Sequence, residues 1–364
     1  MVFPRYSTRF VALLAVLAAL LLSFSPARAQ SDPQQQGRFV EGQVLEVLPG
    51  ERLRVRLEGR EVEVRGDPRL PLKAGEALEV YATTDPDGTP VYYASDYVRR
   101  PVLYLLTAVF VVIAAVVGRG KGLRAVAGMG LSLAVILAFV IPAVLAGWNP
   151  VVVALAGSAA ILLLSVYFVH GFNWTTSAAL LGTLGTAALT VLLAQGVAVA
   201  ARLSGLIGDE ALYIQQLGLN VDLRALLLAG VIIGALGALV DSTVPQAAVV
   251  RELAHLQPQQ NWRELYRSSM RVGLDHIGSL INTLVLAYAG SNLPLFVVFS
   301  LGHTSWTRAI NTEIIATALV QSLVGSIGLI LAVPLTSLIA ALAFQGNRLP
   351  APKEGELHHH HHPH

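Results

Sequence analysis

The chain has 364 residues, 54% hydrophobic and 13% charged, with a mean hydropathy of +0.61 and a formal net charge of +2. That composition lies outside the range of soluble globular domains and points to a polytopic membrane protein, while the near-neutral balance argues against a nucleic-acid partner held by bulk charge. With no cysteine there is no disulfide framework, thiol nucleophile or thiolate metal site.

At the amino end Arg5 and Arg9 precede the apolar run VALLAVLAALLLSF, and Ala27-Arg28-Ala29 closes it with a small-x-small pattern. Residues 1–30 therefore read as a signal peptide or a retained first helix, and the chain from residue 31 onward is delivered outside the cytoplasm. From 31 to 98 the pattern changes to alternation at period two: FVEGQVLEVLPG, RLRVRLEGREVEVRG and EALEVYATTDPDGTPVYYASDY, broken by Pro-Gly and Asp-Pro-Asp-Gly turns. This predicts a small extracytoplasmic β-barrel-like domain of OB or SH3-like type, with about five or six strands.

Residues 99–345 form the expected transmembrane helical domain. Apolar segments at about 101–117, 125–147, 150–170, 177–201, 223–243, 274–291 and 317–344 each approach the twenty residues or so that a crossing needs, which makes about seven transmembrane helices. A shorter run, LPLFVVFSL at 293–301, is too brief to cross and reads as re-entrant. Arg119, Lys121 and Arg124 mark one cytoplasmic turn, Arg251, Arg263, Arg267 and Arg271 a second, and Arg348 with Lys353 the tail. The chain is thus expected in the bacterial cytoplasmic (inner) membrane, β domain outside and C-terminus inside. The opposite loops carry Arg202, Arg224 and Arg308, and Arg308 and Glu313 are expected hydrated at the outer interface.

Two helices carry polar stripes. Gly230, Gly234, Gly237 and Asp241 share one helical face, so a groove of missing side chains leads to a carboxylate; the small residues also invite close helix packing. In RVGLDHIGSLINTLVLAYAG, Asp275, Ser279 and Asn282 share one face and His276 and Thr283 a neighbouring one. Polar groups in that number are costly against hydrocarbon, so they serve either helix packing through hydrogen bonds or a proton or solute path towards Asp241, with His276 as relay. Between these helices Trp262, Leu265, Tyr266 and Met270 segregate from Arg263, Glu264, Arg267 and Arg271, predicting an amphipathic helix on the inner leaflet. In the last crossing Gln321, Ser322, Gly325, Ser326 and Gly328 thin the first turns, Gly325 and Gly328 being packing candidates, and Pro334 is expected to bend it.

The tail 346–364 ends in HHHHHPH. His358, His359, His360, His361, His362 and His364 could chelate zinc, nickel or copper if native, and a purification tag is the other reading. There is no His-Glu-x-x-His, Gly-x-Ser-x-Gly or Walker loop, so neither an enzyme nor a cofactor is expected.

GRGKGLRA, HGFN, DLRALLLAGVIIGALGALVD, VGLDHIGSLINTLVLAYAGSNLPL and SLVGSIGLILAVPLT, in that order, resemble the YibE/F family of bacterial membrane proteins over roughly residues 40–345. Where that family's pattern often has Met-Asp-x-Ala after the glycines, this chain has Val240, Asp241, Ser242 and Thr243. The resemblance implies a related-subunit partner or a homo-oligomer. The helix pair around Asp241 and its loop is also similar, by analogy, to the SecF half of the SecDF export factor and other RND-type permeases, which implies proton flow through neighbouring polar helices. The expectation is therefore a permease of unnamed substrate in the lipid bilayer, coupled to protons or another small ion or solute. The rival expectation is a non-transporting accessory protein whose β domain binds partners.

Overall fold

The computed structural model describes residues 37–85, 87–302 and 305–345; the signal-like segment and the histidine-rich tail lie outside the described residues. It divides into two compact units that meet in sequence at Leu123 and Arg124.

The first unit is built on five strands, β1 (Arg38–Leu48), β2 (Arg52–Leu57), β3 (Arg60–Arg65), β4 (Ala77–Thr84) and β5 (Pro90–Tyr97), closed into a barrel in the order β1-β2-β3-β5-β4. β1 is long enough to pair antiparallel with both β2 and β4, and its register shifts between Val44 and Glu46, where a bulge bends it from one partner to the other. Alternation decides the faces. In β2, Leu53, Val55 and Leu57 point in and Arg52, Arg54 and Arg56 point out. The inward set joins Val44, Val64, Leu72, Leu78 and Val80 in one core. The outward arginines meet carboxylates across the sheet, Arg52 with Glu63 at 2.9 Å and Arg54 with Glu46 at 3.0 Å.

The helices are α1 (Arg100–Val135), α2 (Ile141–Leu145), α3 (Pro150–Ile161), α4 (Tyr167–His170), α5 (Trp174–Ala200), α6 (Gly208–Gln216), α7 (Leu223–Leu256), α8 (Trp262–Ser291), α9 (Leu293–Leu301), α10 (Trp306–Ile310) and α11 (Glu313–Phe344). Six stretches among the described residues are long and apolar enough to cross a membrane: Arg100–Leu145, Pro150–His170, Trp174–Ala200, Leu223–Leu256, Trp262–Ser291 and Glu313–Phe344. The first has 46 residues, about 69 Å if straight, more than twice a hydrocarbon core of ~30 Å. It is not straight. At Arg119 the backbone leaves the helix (φ 49°, ψ −138°), and a Cβ on Gly122 would overlap the carbonyl of Ala114. In a continuous helix those two residues would stand about 12 Å apart along the axis, so the chain turns sharply at GRGKG.

In the second unit α5, α7, α8 and α11 pack on one another most extensively, with α3 against α7. Short polar side chains start these helices: Asn173 accepts from the Thr176 amide, Asp222 from Ala225, and Asn261 forms a capping box with Glu264. The sequence motif HGFN is thus a turn, with Gly171 at φ 80° and Asn173 as the cap of α5.

Two expectations are corrected. The segment 262–271 is not a separate surface helix: α8 runs unbroken from Trp262 to Ser291, and Leu265, Trp262 and Tyr266 pack on Val250, Ala254 and Phe344 rather than on lipid. α7 does not stop near 243 but runs through Pro245 to Leu256, so Asp241 lies well inside a helix. α11 likewise contains Pro334 within its run. A proline inside a helix removes one N–H, and neighbouring helices can hold the geometry regardless. α9, with nine residues, is about 14 Å long and too short to cross.

Candidate functional site

Towards the C-terminal end of α7 and the N-terminal end of α8, the bundle interior is polar and closed. Gln246 of α7 is buried and donates from Nε2 to the Ser337 hydroxyl of α11 at 2.7 Å and to the Ser269 carbonyl of α8 at 3.1 Å. The Thr183 and Thr243 hydroxyls, both buried, are 2.6 Å apart and tie α5 to α7. Glycine makes these approaches close: a Cβ at Gly182 would overlap the Thr336 hydroxyl, and one at Gly273 would stand 2.5 Å from Val333 and 3.1 Å from the Gln246 amide. Short side chains at such crossings let backbones approach and let hydroxyls and amides bond between helices.

Gly230, Gly234 and Gly237 are exposed on one face of α7; a Cβ at Gly230 or Gly237 would meet nothing within 4 Å, and one at Gly234 only the Tyr288 hydroxyl of α8, at 3.6 Å. The stripe is a furrow of missing side chains, with Tyr288 the one side chain within 4 Å of it. At its C-terminal end stands Asp241, with His276 of α8 close enough to act on it electrostatically. The His276 Nε2 atom is buried and has no hydrogen-bond partner among the described residues. Pro245 lies one turn beyond Asp241 and has no N–H to offer the Asp241 carbonyl, so a main-chain acceptor is released beside the carboxylate.

At the Gly230 end the stripe borders a cavity of about 320 Å³. Polar groups line it from three sides: Glu210 of α6, Asn292 after α8, and Thr317 and Gln321 of α11. Thr317 is buried and its hydroxyl has no partner among the described residues. The rim is fixed by Glu313, whose carboxylate accepts from the Ser204 hydroxyl at 2.7 Å and from the Gly205 amide at 2.8 Å, while Arg224 donates to the Leu203 carbonyl at 2.6 Å. Glu313 is therefore not simply hydrated, as its position in the sequence suggests; it clamps the loop that forms the cavity wall.

The structure brings together only part of the residue set singled out in the sequence. Asp241 and His276 lie within electrostatic reach of each other, and Thr283, exposed, lies two turns from His276 with its hydroxyl on the Ser279 carbonyl. Asp275, Ser279 and Asn282 are exposed, and Asp275 and Asn282 lie on the side of α8 away from its buried residues Ser269, Gly273 and Ile277. Gly325 and Gly328 sit at close crossings, against Leu284 at 3.1 Å and against Thr190. The histidines of the tail lie outside the described residues, and among the described residues no group of three or more metal-type ligands occurs. Sequence reasoning missed Gln246, Thr183, Thr243 and Thr317. The stripe Thr183, Thr186, Thr190 in α5 carries the same small-polar spacing as the stripes that were found, and would have announced the closed layer.

No curated protein and no solved structure matches the chain. The family described as YibE/F-like protein matches residues 106–346, which takes in the glycine furrow, the Asp241–His276 pair and the polar layer beneath them. The chain is a membrane protein and belongs to the YibE/F-like family.

Proposed function

We propose that the chain is a permease of the bacterial cytoplasmic membrane, coupled to protons, whose path is the furrow of α7. Solute enters the outer cavity at Gly230, passes Tyr288 and reaches the Asp241–His276 pair, below which the Gln246, Ser269 and Ser337 bonds hold the path shut. The observation that carries this reading is the coincidence of three features on one line: an outer cavity with an unpartnered buried hydroxyl, an unfilled glycine face, and an ionisable pair at its end. Ionisable side chains at membrane depth are expensive and sit where ions or protons move. A carboxylate, an imidazole and a released carbonyl can hold a proton or a small cation and pass it on.

The topology that fits has seven crossings, because the turn at Arg119 divides the first apolar stretch in two. The barrel then lies outside, the turn at GRGKGLR inside, and the 320 Å³ cavity outside. The rival reading, an accessory protein that works through its barrel, draws on an open hollow of about 580 Å³ lined by Arg52, Glu63, Arg65 and Tyr92. Proton flux into proteoliposomes under an imposed membrane potential separates the two. The permease reading expects flux in the intact protein and its loss in Asp241→Asn. Equal flux in both would remove Asp241 from the path, and flux in neither would favour the accessory protein.

A further inference from the structure

α8 presents a second polar face that the furrow does not use. Among the five crossing stretches from Pro150 onward, α8 is the least covered: 11% of its apolar window is buried, against 44–56% for the others. Its buried residues Ser269, Gly273 and Ile277, with Leu284 against Gly325, define the side turned to α7 and α11. At about 100° per residue the opposite side carries Arg271, Asp275, Gly278 and Asn282, all exposed. Exposed apolar side chains border them on both flanks, Val272 on one and Leu274 on the other.

This face is not suited to lipid. Asn282 lies eight residues, or about 12 Å, beyond Leu274, where the apolar part of α8 begins, and so well inside a hydrocarbon core of ~30 Å. No described residue bonds to the side chains of Asp275 or Asn282. An amide left unpartnered at that depth costs several kcal/mol, so protein must cover it. Their spacing says which protein. Arg271, Asp275, Gly278 and Asn282 are separated by 4, 3 and 4 residues, the 3.5-residue repeat that keeps one seam facing a parallel helix.

We propose that this seam is the contact between two copies of the chain, related by a twofold axis along the membrane normal. A twofold contact places each residue near its own twin. Asn282 suits that, because a carboxamide both donates and accepts and so pairs with its own copy. Gly278 suits it too, since a Cβ there would meet nothing within 4 Å in one chain and the position can admit a second backbone. Asp275 would repel its twin, but Arg271, one turn away on the same face and exposed, lets each carboxylate meet the partner copy's guanidinium. The seam lies on the far side of α8 from the packed bundle, so the inference stands or falls independently of whether the furrow conducts.

The chain has no cysteine, so single-cysteine variants report directly. Gly278→Cys, Asn282→Cys, Val272→Cys and Leu274→Cys would be oxidised in native membranes and the band at twice the chain mass measured. The expected result is disulfide dimer at 278 and 282 and at least fivefold less at 272 and 274. In the Gly278→Cys background, Asn282→Leu should lower the dimer yield about fivefold, in keeping with one interhelical hydrogen bond of roughly 1 kcal/mol. Yields at 278 and 282 no higher than at the flanking positions would overturn the proposal, as would adducts of a different mass, which would mean another protein or segment covers the face. Every variant replaces an exposed residue, and monodispersity in detergent verifies that each one folds.

Discussion

The barrel and the bundle solve the same burial problem differently: both bury apolar side chains, Leu162, Leu239 and Leu329 in the bundle among them, but among the described residues only the bundle buries polar ones beside them. In the barrel, Val55, Val64, Leu78 and Val80 fill the inside and ion pairs such as Arg52–Glu63 stand outside. In the bundle, Thr183, Thr243, Gln246, Ser269, Thr336 and Ser337 are buried, while Leu181, Leu192, Leu323 and Val199 are exposed. The difference lies in the solvent. Water drives large apolar side chains inward, whereas hydrocarbon is as apolar as leucine and leaves close packing and hydrogen bonding to hold helices together. The same exposed leucine is ordinary in one unit and required in the other.

That contrast can be broken by substitution. The largest effect is expected in the barrel core, where Leu78→Ala removes a fully buried side chain. It should cost about 3 kcal/mol, read as much faster limited proteolysis within residues 37–97 and an unchanged helical signal. In the bundle the equivalent damage comes from adding bulk. Gly182→Val would push into Thr336 and should cost ~1–3 kcal/mol, seen as a lower thermal midpoint in detergent, with Gly182→Ala in between. The smallest effect is expected outside the barrel: Arg52 and Glu63 are more than half exposed, so Arg52→Ala should change stability by less than about 0.5 kcal/mol. If Arg52→Ala proved as harmful as Gly182→Val, the view that each unit is held from its inside would be wrong.

The same contrast governs how much was legible in the sequence. Strand positions were readable because RLRVRL alternates without exception, and only one face of such a strand can be dry. The crossings were readable from apolar length, and the turn at Arg119 from its glycines and cations. Helix ends were less so. α7 passes Pro245 and α8 begins twelve residues before its apolar part, because long helices extend past the membrane and the sequence marks the hydrocarbon, not the helix. Within the stripes, period fixed which residues share a face but not what the face meets. Asp241 and Asn282 look alike in sequence; in the structure one lies within electrostatic reach of His276 and the other on the side of α8 away from its buried residues. Only the direction of α8 against α7 and α11 separates them.

The furrow as a watered path open to the outside is the central claim, and Gly237 tests it most directly. Gly237 lies one turn from Asp241, and a side chain there would meet nothing within 4 Å. In intact cells, Gly237→Cys should react with a membrane-impermeant maleimide added outside, while Ser269→Cys, in the closed polar layer, should not. Failure of Gly237→Cys to react with that reagent, together with ready reaction with a lipid-soluble one, would show that the glycine face looks into the bilayer, and would contradict the claim.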